Sequence, residues 1–270
     1  MGRRIDPGER NGVLHPRNLA RYSAGWIDPH PAVADVVDQY WHVNWSLDEP
    51  IRQKIIASPS VTLTLERGAV PAPFVLTGVY DRAWERTIQG AGEVFAIRLR
   101  PAGLAVLTDL VPLAIMNSTL PVTEALDSRS HSLLSTLPNG SPRERADAAD
   151  SLILEMLGER PISRVGRLAN DVVAAIGQDG PSVAELAARF ATSERSIQRA
   201  LRATLGQGPK WVARWLRLQD VVRLLSSDES PTAAAAKLGY SDQAHLINDF
   251  RDAVGMTPGA YIASLRTLMG

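Results

Sequence analysis

Residues 182–226, SVAELAARFATSERSIQRALRATLGQGPKWVARWLRLQDVVRLLS, decide the fold of the C-terminal part of this 270-residue chain. Ser193 follows the turn at Ala191-Thr192 and is a good helix N-cap, and the residues after it are helix-forming as far as Gly206. Ile197, Leu201 and Leu205 recur at helical spacing and give an apolar stripe that must face a core. Arg195, Gln198, Arg199 and Arg202 fall on other faces, mostly in one sector. An Arg-rich helix face is ordinarily just a solvated face. The same residue types, on one short helix, are also what major-groove reading needs, because Arg forks onto guanine O6/N7 and Gln onto adenine N6/N7. The preceding segment favours the second reading. Ser182 and Glu185 stand at capping-box spacing, and Val183, Leu186, Ala187 and Phe190 point to the same core. Two short helices meeting across a tight turn form the unit that puts its second helix into DNA.

An internal repeat at an offset of about 49 residues strengthens the case. Ile197 answers to Leu246, Leu201 to Phe250, Arg202 to Arg251, Gly206 to Gly255 and Pro209 to Pro258. The two turns, FATSE and LGYSD, align only with one residue inserted. Ser230-Pro231 opens the second unit as N-cap and first helical residue, and SDQAHLINDFRDAV holds its second helix. Both second helices end at a Gly suited to the left-handed cap, with a Pro three residues on to restart a helix.

The residues from Ser182 to Ala187, the Ser193 to Gly206 helix, Arg217-Leu218, Gly239-Tyr240-Ser241-Asp242 through Phe250-Arg251, Gly255, Thr257-Pro258 and Tyr261 together resemble the DNA-binding domain of the AraC/XylS family of bacterial transcription regulators. The resemblance implies two helix-turn-helix units joined by one rigid helix, reading successive major grooves on one face of double-stranded DNA. It also implies RNA polymerase as a partner if the protein activates, a small-molecule effector and a homodimer. Candidate DNA-binding residues are Arg195, Gln198, Arg199 and Arg202 in the first unit and Gln243, Ala244, His245 and Asn248 in the second. This chain departs from the commoner pattern, which often has a basic residue where Asn248-Asp249 precede Phe250. That departure puts base reading by the second unit in question and leaves packing and backbone positioning as its alternative role.

Cysteine is absent, which excludes disulfides, thiolate metal sites, cysteine nucleophiles and the cysteine-dependent DNA-repair proteins that carry a similar helical domain. The net charge of zero hides an asymmetry. Residues 163–270 hold 13 basic and 10 acidic residues; within them, 189–223 carry 8 against 2 and 224–270 carry 3 against 5. Phosphate attraction is therefore expected to concentrate on the first unit and the linking helix. MGRRIDPGERNG has charge but no apolar leader core, and no apolar run approaches membrane-spanning length, so a cytoplasmic protein with no membrane partner is expected.

Residues 1–18, rich in Arg, Gly and Pro, read as a disordered arm, 19–160 as an N-terminal regulatory, effector or dimerisation domain, and 163–270 as the DNA-binding domain. From Tyr22 to about Arg100 a period of two dominates. Trp41, Val43 and Trp45 share a face opposite Tyr40, His42 and Asn44; Val61, Leu63 and Leu65 alternate with Thr62, Thr64 and Glu66; Phe95, Ile97 and Leu99 alternate with Ala96, Arg98 and Arg100. Antiparallel strands around one apolar face follow, as a small barrel or a curved sheet, with helices after Pro101. The fold class is thus α+β, a β-rich front domain with an all-α domain behind it. YWHVNW, GVYDRAWERTIQG and the junction at Arg100 to Gly103 resemble a regulatory domain often fused to AraC-type DNA-binding domains, over roughly Arg17 to Leu137.

His15, His30, His42, His131 and His245 are scattered, with no pair at metal-ligand spacing, and Asp35 and Asp38 have no partner histidine nearby. Neither a phosphate-binding glycine loop nor a nucleophile elbow is present, so no catalytic residue, metal or cofactor is expected. Trp26, Trp41, Trp45 and Trp84 suggest a small-molecule pocket, with Arg82, Arg86, Arg98 and Arg100 to hold an acid; Trp41, Trp84, Arg86 and Arg98 are the effector-binding candidates. The bland alternative is that the tryptophans fill the core and the arginines cover its rim. A ligand-binding or interaction protein whose helical domain no longer reads DNA is the rival to a transcription regulator.

Overall fold

A computed structural model describes residues 12–267. Among these residues, six strands form one open antiparallel sheet in the order β1-β2-β5-β3-β4-β6, where β1 is Tyr22–Ile27, β2 Val37–Ile55, β3 Thr62–Gly68, β4 Phe74–Thr77, β5 Trp84–Leu99 and β6 Thr119–Pro121. The sheet has two edges and is not closed into a barrel. The long β2 and β5 pair along nearly their whole length, with irregularities near Asp38 and between Leu47 and Ile51 that bend the pair.

Register corrects the expectation of a single apolar face. Tyr40 lies opposite Ile97 and His42 opposite Phe95, while Leu63 and Leu65 face the same two residues of β5 from the other side. Tyr40, Leu63, Phe95 and Ile97 therefore share one face, which helices cover. Trp41, Val43 and Trp45 stand opposite Ala96, Val94 and Gly92 on the other face, where Trp45, Val94 and Ala96 join a second apolar cluster. The alternation within each strand was legible, but in β2 the deep core position belongs to Tyr40, fully buried and stacked on Phe95 at 5.7 Å. Its hydroxyl finds a partner in Asp150, 2.8 Å away, which lets a polar group sit there.

Helices α1 (Gly103–Leu107), α2 (Ser128–Thr136) and α3 (Pro142–Glu159) close that face. The capping box of Ser141 and Glu144 starts α3, and Ala146, Ala149 and Ile153 bury its inner stripe. Residues 12–18, expected to belong to a disordered arm, instead pack. Val13 bridges to Ile55, Leu14 is buried, and a 3-10 turn runs over Pro16–Ala20. Residues 1–11 of that arm lie outside the described residues.

Among the described residues, seven helices follow: α4 (Arg164–Asp179), α5 (Val183–Arg189), α6 (Glu194–Leu205), α7 (Pro209–Ser226), α8 (Pro231–Lys237), α9 (Gln243–Val254) and α10 (Pro258–Thr267). Helix α4 is tied to the sheet domain by Asn170, whose amide donates to the Asp35 carbonyl (2.7 Å) and accepts from the Ala102 N–H (3.0 Å). Leu186, Ile197, Leu201, Leu205 and Val212 of the first unit continue the front-half core, whereas Leu246, Phe250, Val254 and Tyr261 of the second build a separate core with Trp215 and Leu218. Among the described residues, no helix is long and apolar enough to cross a membrane.

Candidate nucleic-acid interface and a cavity in the sheet domain

The two helix-turn-helix units are built by the same local chemistry. In the first, Ser182 caps α5 through the Glu185 N–H while the Glu185 carboxylate accepts from the Ser182 N–H. That bond holds the Glu185 carboxyl below the usual carboxylate range. In the turn, the Thr192 N–H bonds to the Ala187 carbonyl at 2.9 Å, and its counterpart in the second unit runs from Tyr240 to Ala235 at 3.0 Å. The first helix and turn thus repeat at an offset of 48 and the second helix at 49, as one inserted residue requires. Both turns need positive φ. Gly239 meets this at 69°, whereas Ala191 takes 47° with a side chain attached. Ser193 and Asp242 cap the second helices, and Gly206 and Gly255 close them in the left-handed region.

The exposed faces of the two second helices differ. On α6, Arg195, Gln198, Arg199 and Arg202 are all exposed, and no side chain of the four has an ion-pair or hydrogen-bond partner among the described residues. On α9, Gln243, Ala244, His245 and Asn248 are exposed too, but the three polar side chains are engaged locally. Gln243 accepts from the Thr232 hydroxyl at 3.0 Å, His245 Nδ1 lies 3.1 Å from Ser241 Oγ with its ring edge-on to Tyr240, and Asn248 accepts from Arg251 at 2.9 Å.

Asp249, whose place in the pattern raised doubt about the second unit, has a positioning role that local spacing did not reveal. It accepts from Arg214 of the linking helix and from the Tyr240 hydroxyl at 2.8 Å, locking α9 onto α7. Burial, then the bond to Asp249, raises the Tyr240 hydroxyl pKa far above its ordinary value. Arg217 lies over the Tyr240 ring at 5.1 Å. Trp211, Val212, Trp215 and Leu218 serve packing: Trp211 stacks on Trp215 at 5.1 Å, and Val212, Trp215 and Leu218 are fully buried.

The other face of the sheet holds a cavity of about 240 Å³, and all four effector candidates, Trp41, Trp84, Arg86 and Arg98, line it. Trp26 also lines it, while Trp45 is buried and donates its indole N–H to the Gln89 carbonyl at 3.1 Å. Two of the arginines, Arg86 and Arg98, already have carboxylate partners. Arg86 forms two bonds, of 2.8 and 2.7 Å, to Glu66, which is itself 2% exposed and accepts from Thr64 at 2.9 Å. Arg98 is held by Asp38 at 2.7 Å and Gln39 at 3.0 Å. Local spacing does not reveal the role of Glu66, because its partner Arg86 is 20 residues away in sequence and meets it only through the sheet.

One wall of the cavity is the connection after β2. There the Ile56 and Ala57 carbonyls accept from Gln219 (3.0 Å) and Trp215 (2.7 Å) of α7. Next to the cavity-lining Trp84, the Ala83 N–H donates to the Ala253 carbonyl at the end of α9, 2.7 Å away. Among the described residues no group of His, Cys, Asp and Glu side chains is arranged to hold a metal.

Residues 186–264 match a family described as a helix-turn-helix domain, and residues 26–121 match a domain of unknown function, DUF6597. Over 82 residues the chain is 38% identical to a protein of Streptomyces antibioticus and 34% identical to one of Streptomyces lividans, both named as AraC-like transcription regulators. Each match covers 30% of this chain and 27% of the relative, so the chain spans about a quarter of the length of these curated relatives. Among solved structures, the DNA-binding domain of AdpA in complex with a target DNA is 27% identical over 38% of this chain and 94% of that one, with a TM-score of 0.33. ToxT from Vibrio cholerae is 11% identical over 90% of this chain and 97% of that one, with a TM-score of 0.42.

Proposed function

We propose that this chain, whose C-terminal region is an AraC-type helix-turn-helix domain, is a sequence-specific DNA-binding transcription regulator and not an enzyme. The observation that carries this reading is the α6 face. Three guanidiniums and one amide project from a capped helix, without a side-chain partner among the described residues, above a buried Ile197/Leu201/Leu205 stripe. A guanidinium without a carboxylate partner is available to phosphate or to a guanine edge. In this reading Arg199 makes the principal base contact, with Gln198 beside it and Arg195 and Arg202 nearer the phosphates. The division of labour is 19–160 for sensing or dimerisation and 163–270 for DNA. The partners are double-stranded DNA, RNA polymerase if it activates, a second copy of the chain and a small effector, in the bacterial cytoplasm.

Effector response through the sheet domain has its own support. The cavity wall at Ile56 and Ala57 is hydrogen-bonded to α7, and Ala83 beside Trp84 is bonded to α9, so an occupant that shifted either segment would shift the linking helix or the second unit. The test of DNA reading is selection of bound sequences from random DNA with the full-length protein. Enrichment of one motif, reduced at a single base pair by Arg199→Ala, is the expected result. Recovery of unrelated sequences with equal affinity would leave a ligand-binding protein that no longer reads DNA.

A further inference from the structure

The cavity on the open face of the sheet is walled by aromatic rings and floored by charge pairs. Tyr22, Trp26, Trp41 and Trp84 are all half-buried around it. Its two guanidiniums are spoken for: Glu66 takes both terminal nitrogens of Arg86, and Asp38 with Gln39 takes Arg98. An anionic ligand would meet guanidiniums whose charge a carboxylate already neutralises, Arg86 through a paired, two-bond contact to the almost wholly buried Glu66 and Arg98 through Asp38. A cationic ligand meets the converse obstacle, because both oxygens of Glu66 are occupied and Thr64 bonds one of them as well.

Outside those two charge pairs, the polar side chains that line the cavity are neutral. Ser58, Ser60, Thr62, Trp26 and Trp41 line the cavity, and their hydroxyl and indole N–H groups have no hydrogen-bond partner among the described residues. Size narrows the class further. A cavity of roughly 150 Å³ accepts a single benzene ring, and this one measures about 240 Å³. We infer that the cavity takes an uncharged, flat molecule of about two fused aromatic rings, carrying a hydroxyl or carbonyl group, stacked among Trp26, Trp41 and Trp84 and hydrogen-bonded by the neutral groups. This deepens, and rests on, the reading of the cavity as an effector site; it does not depend on DNA binding.

The experiment is a titration of the full-length protein at pH 7 with 2-naphthol and, separately, with 2-naphthoate, followed by tryptophan fluorescence and calorimetry. The two probes share a ring system and differ in charge. 2-Naphthol is expected to bind at least about tenfold more tightly, the affinity ratio that corresponds to one clear difference in polar matching. Ala24→Leu, which puts bulk into the cavity from the edge strand, should abolish that binding while leaving the melting temperature nearly unchanged. Glu66→Gln should narrow or invert the preference by releasing Arg86 to the carboxylate; should it unfold the protein, the two-probe comparison and Ala24→Leu still decide the matter. Tighter binding of 2-naphthoate to the unaltered protein would overturn the neutral-ligand class and keep the effector site. Failure of both probes, or binding that Ala24→Leu does not touch, would overturn the effector site as well.

Discussion

The two helix-turn-helix units share caps, turn bonds and core positions, yet they present opposite surfaces. The first unit buries its apolar stripe into a core continuous with the sheet domain, and its Arg195, Gln198, Arg199 and Arg202 side chains have no partner among the described residues. The second closes its polar side chains onto one another and onto its own turn, and anchors its helix to α7 through Asp249 and Arg214. A repeat therefore keeps what builds a helix-turn-helix and leaves free what the helix does. The pairing also refines the charge asymmetry. Arg214 and Asp249 neutralise each other across the units, removing one positive charge from the 189–223 tally and one negative charge from that of 224–270. The sign of the difference survives.

The largest effect should come where the units are alike. Leu201 and Phe250 are equivalent and fully buried. Leu201→Ala should cost about 2–5 kcal/mol and Phe250→Ala about 3–5 kcal/mol in denaturant unfolding of the full chain. An unchanged midpoint for either would break the equivalence. Next comes DNA affinity. Arg199→Ala should cost about 1–3 kcal/mol on the selected site and relax one base pair. Equal weakening on selected and random DNA would demote Arg199 to a phosphate contact. Changing Gln243, His245 or Asn248 to Ala should have a smaller effect, because each must first give up an internal bond.

The smallest predicted effect separates the turns. Ala191 holds positive φ with a Cβ, so Ala191→Gly should relieve part of the roughly 1–2 kcal/mol cost of that conformation, whereas Gly239→Ala should incur it. Thermal melts of both variants check the pair; matching signs would show that the turns are not equivalent.

What the sequence disclosed was local. Capping boxes, Gly206 and Gly255, the stripe of Ile197, Leu201 and Leu205 and the offset of the repeat depend on residues a few positions apart, and their spacing is enough to read them. What it withheld depends on distant partners. Period two in β2 says that Tyr40 and Trp41 face opposite ways; only pairing with β5 says which way the helices lie. Arg86 and Arg98 read as open cations until Glu66 and Asp38 arrive from other strands. Leu14 reads as part of a loose arm because the sequence around it is rich in Arg, Gly and Pro, yet it inserts into a core made mainly by the last helices. Asp249 reads only as a departure from the commoner pattern because its partner Arg214 lies 35 residues back.

If the first unit grips DNA and the second mainly positions it, the difference should appear in the salt dependence of binding. Affinity for the selected site should be titrated at several salt concentrations for the unaltered protein and for Arg195→Ala, Arg202→Ala, Gln243→Ala, His245→Ala and Asn248→Ala. Removing one phosphate-binding side chain should lower the magnitude of the slope of log affinity against log salt by about 0.9. That decrease is expected for Arg195→Ala or Arg202→Ala, with slopes nearly unchanged for the three α9 variants. Equal decreases from both units would contradict the division of labour between them.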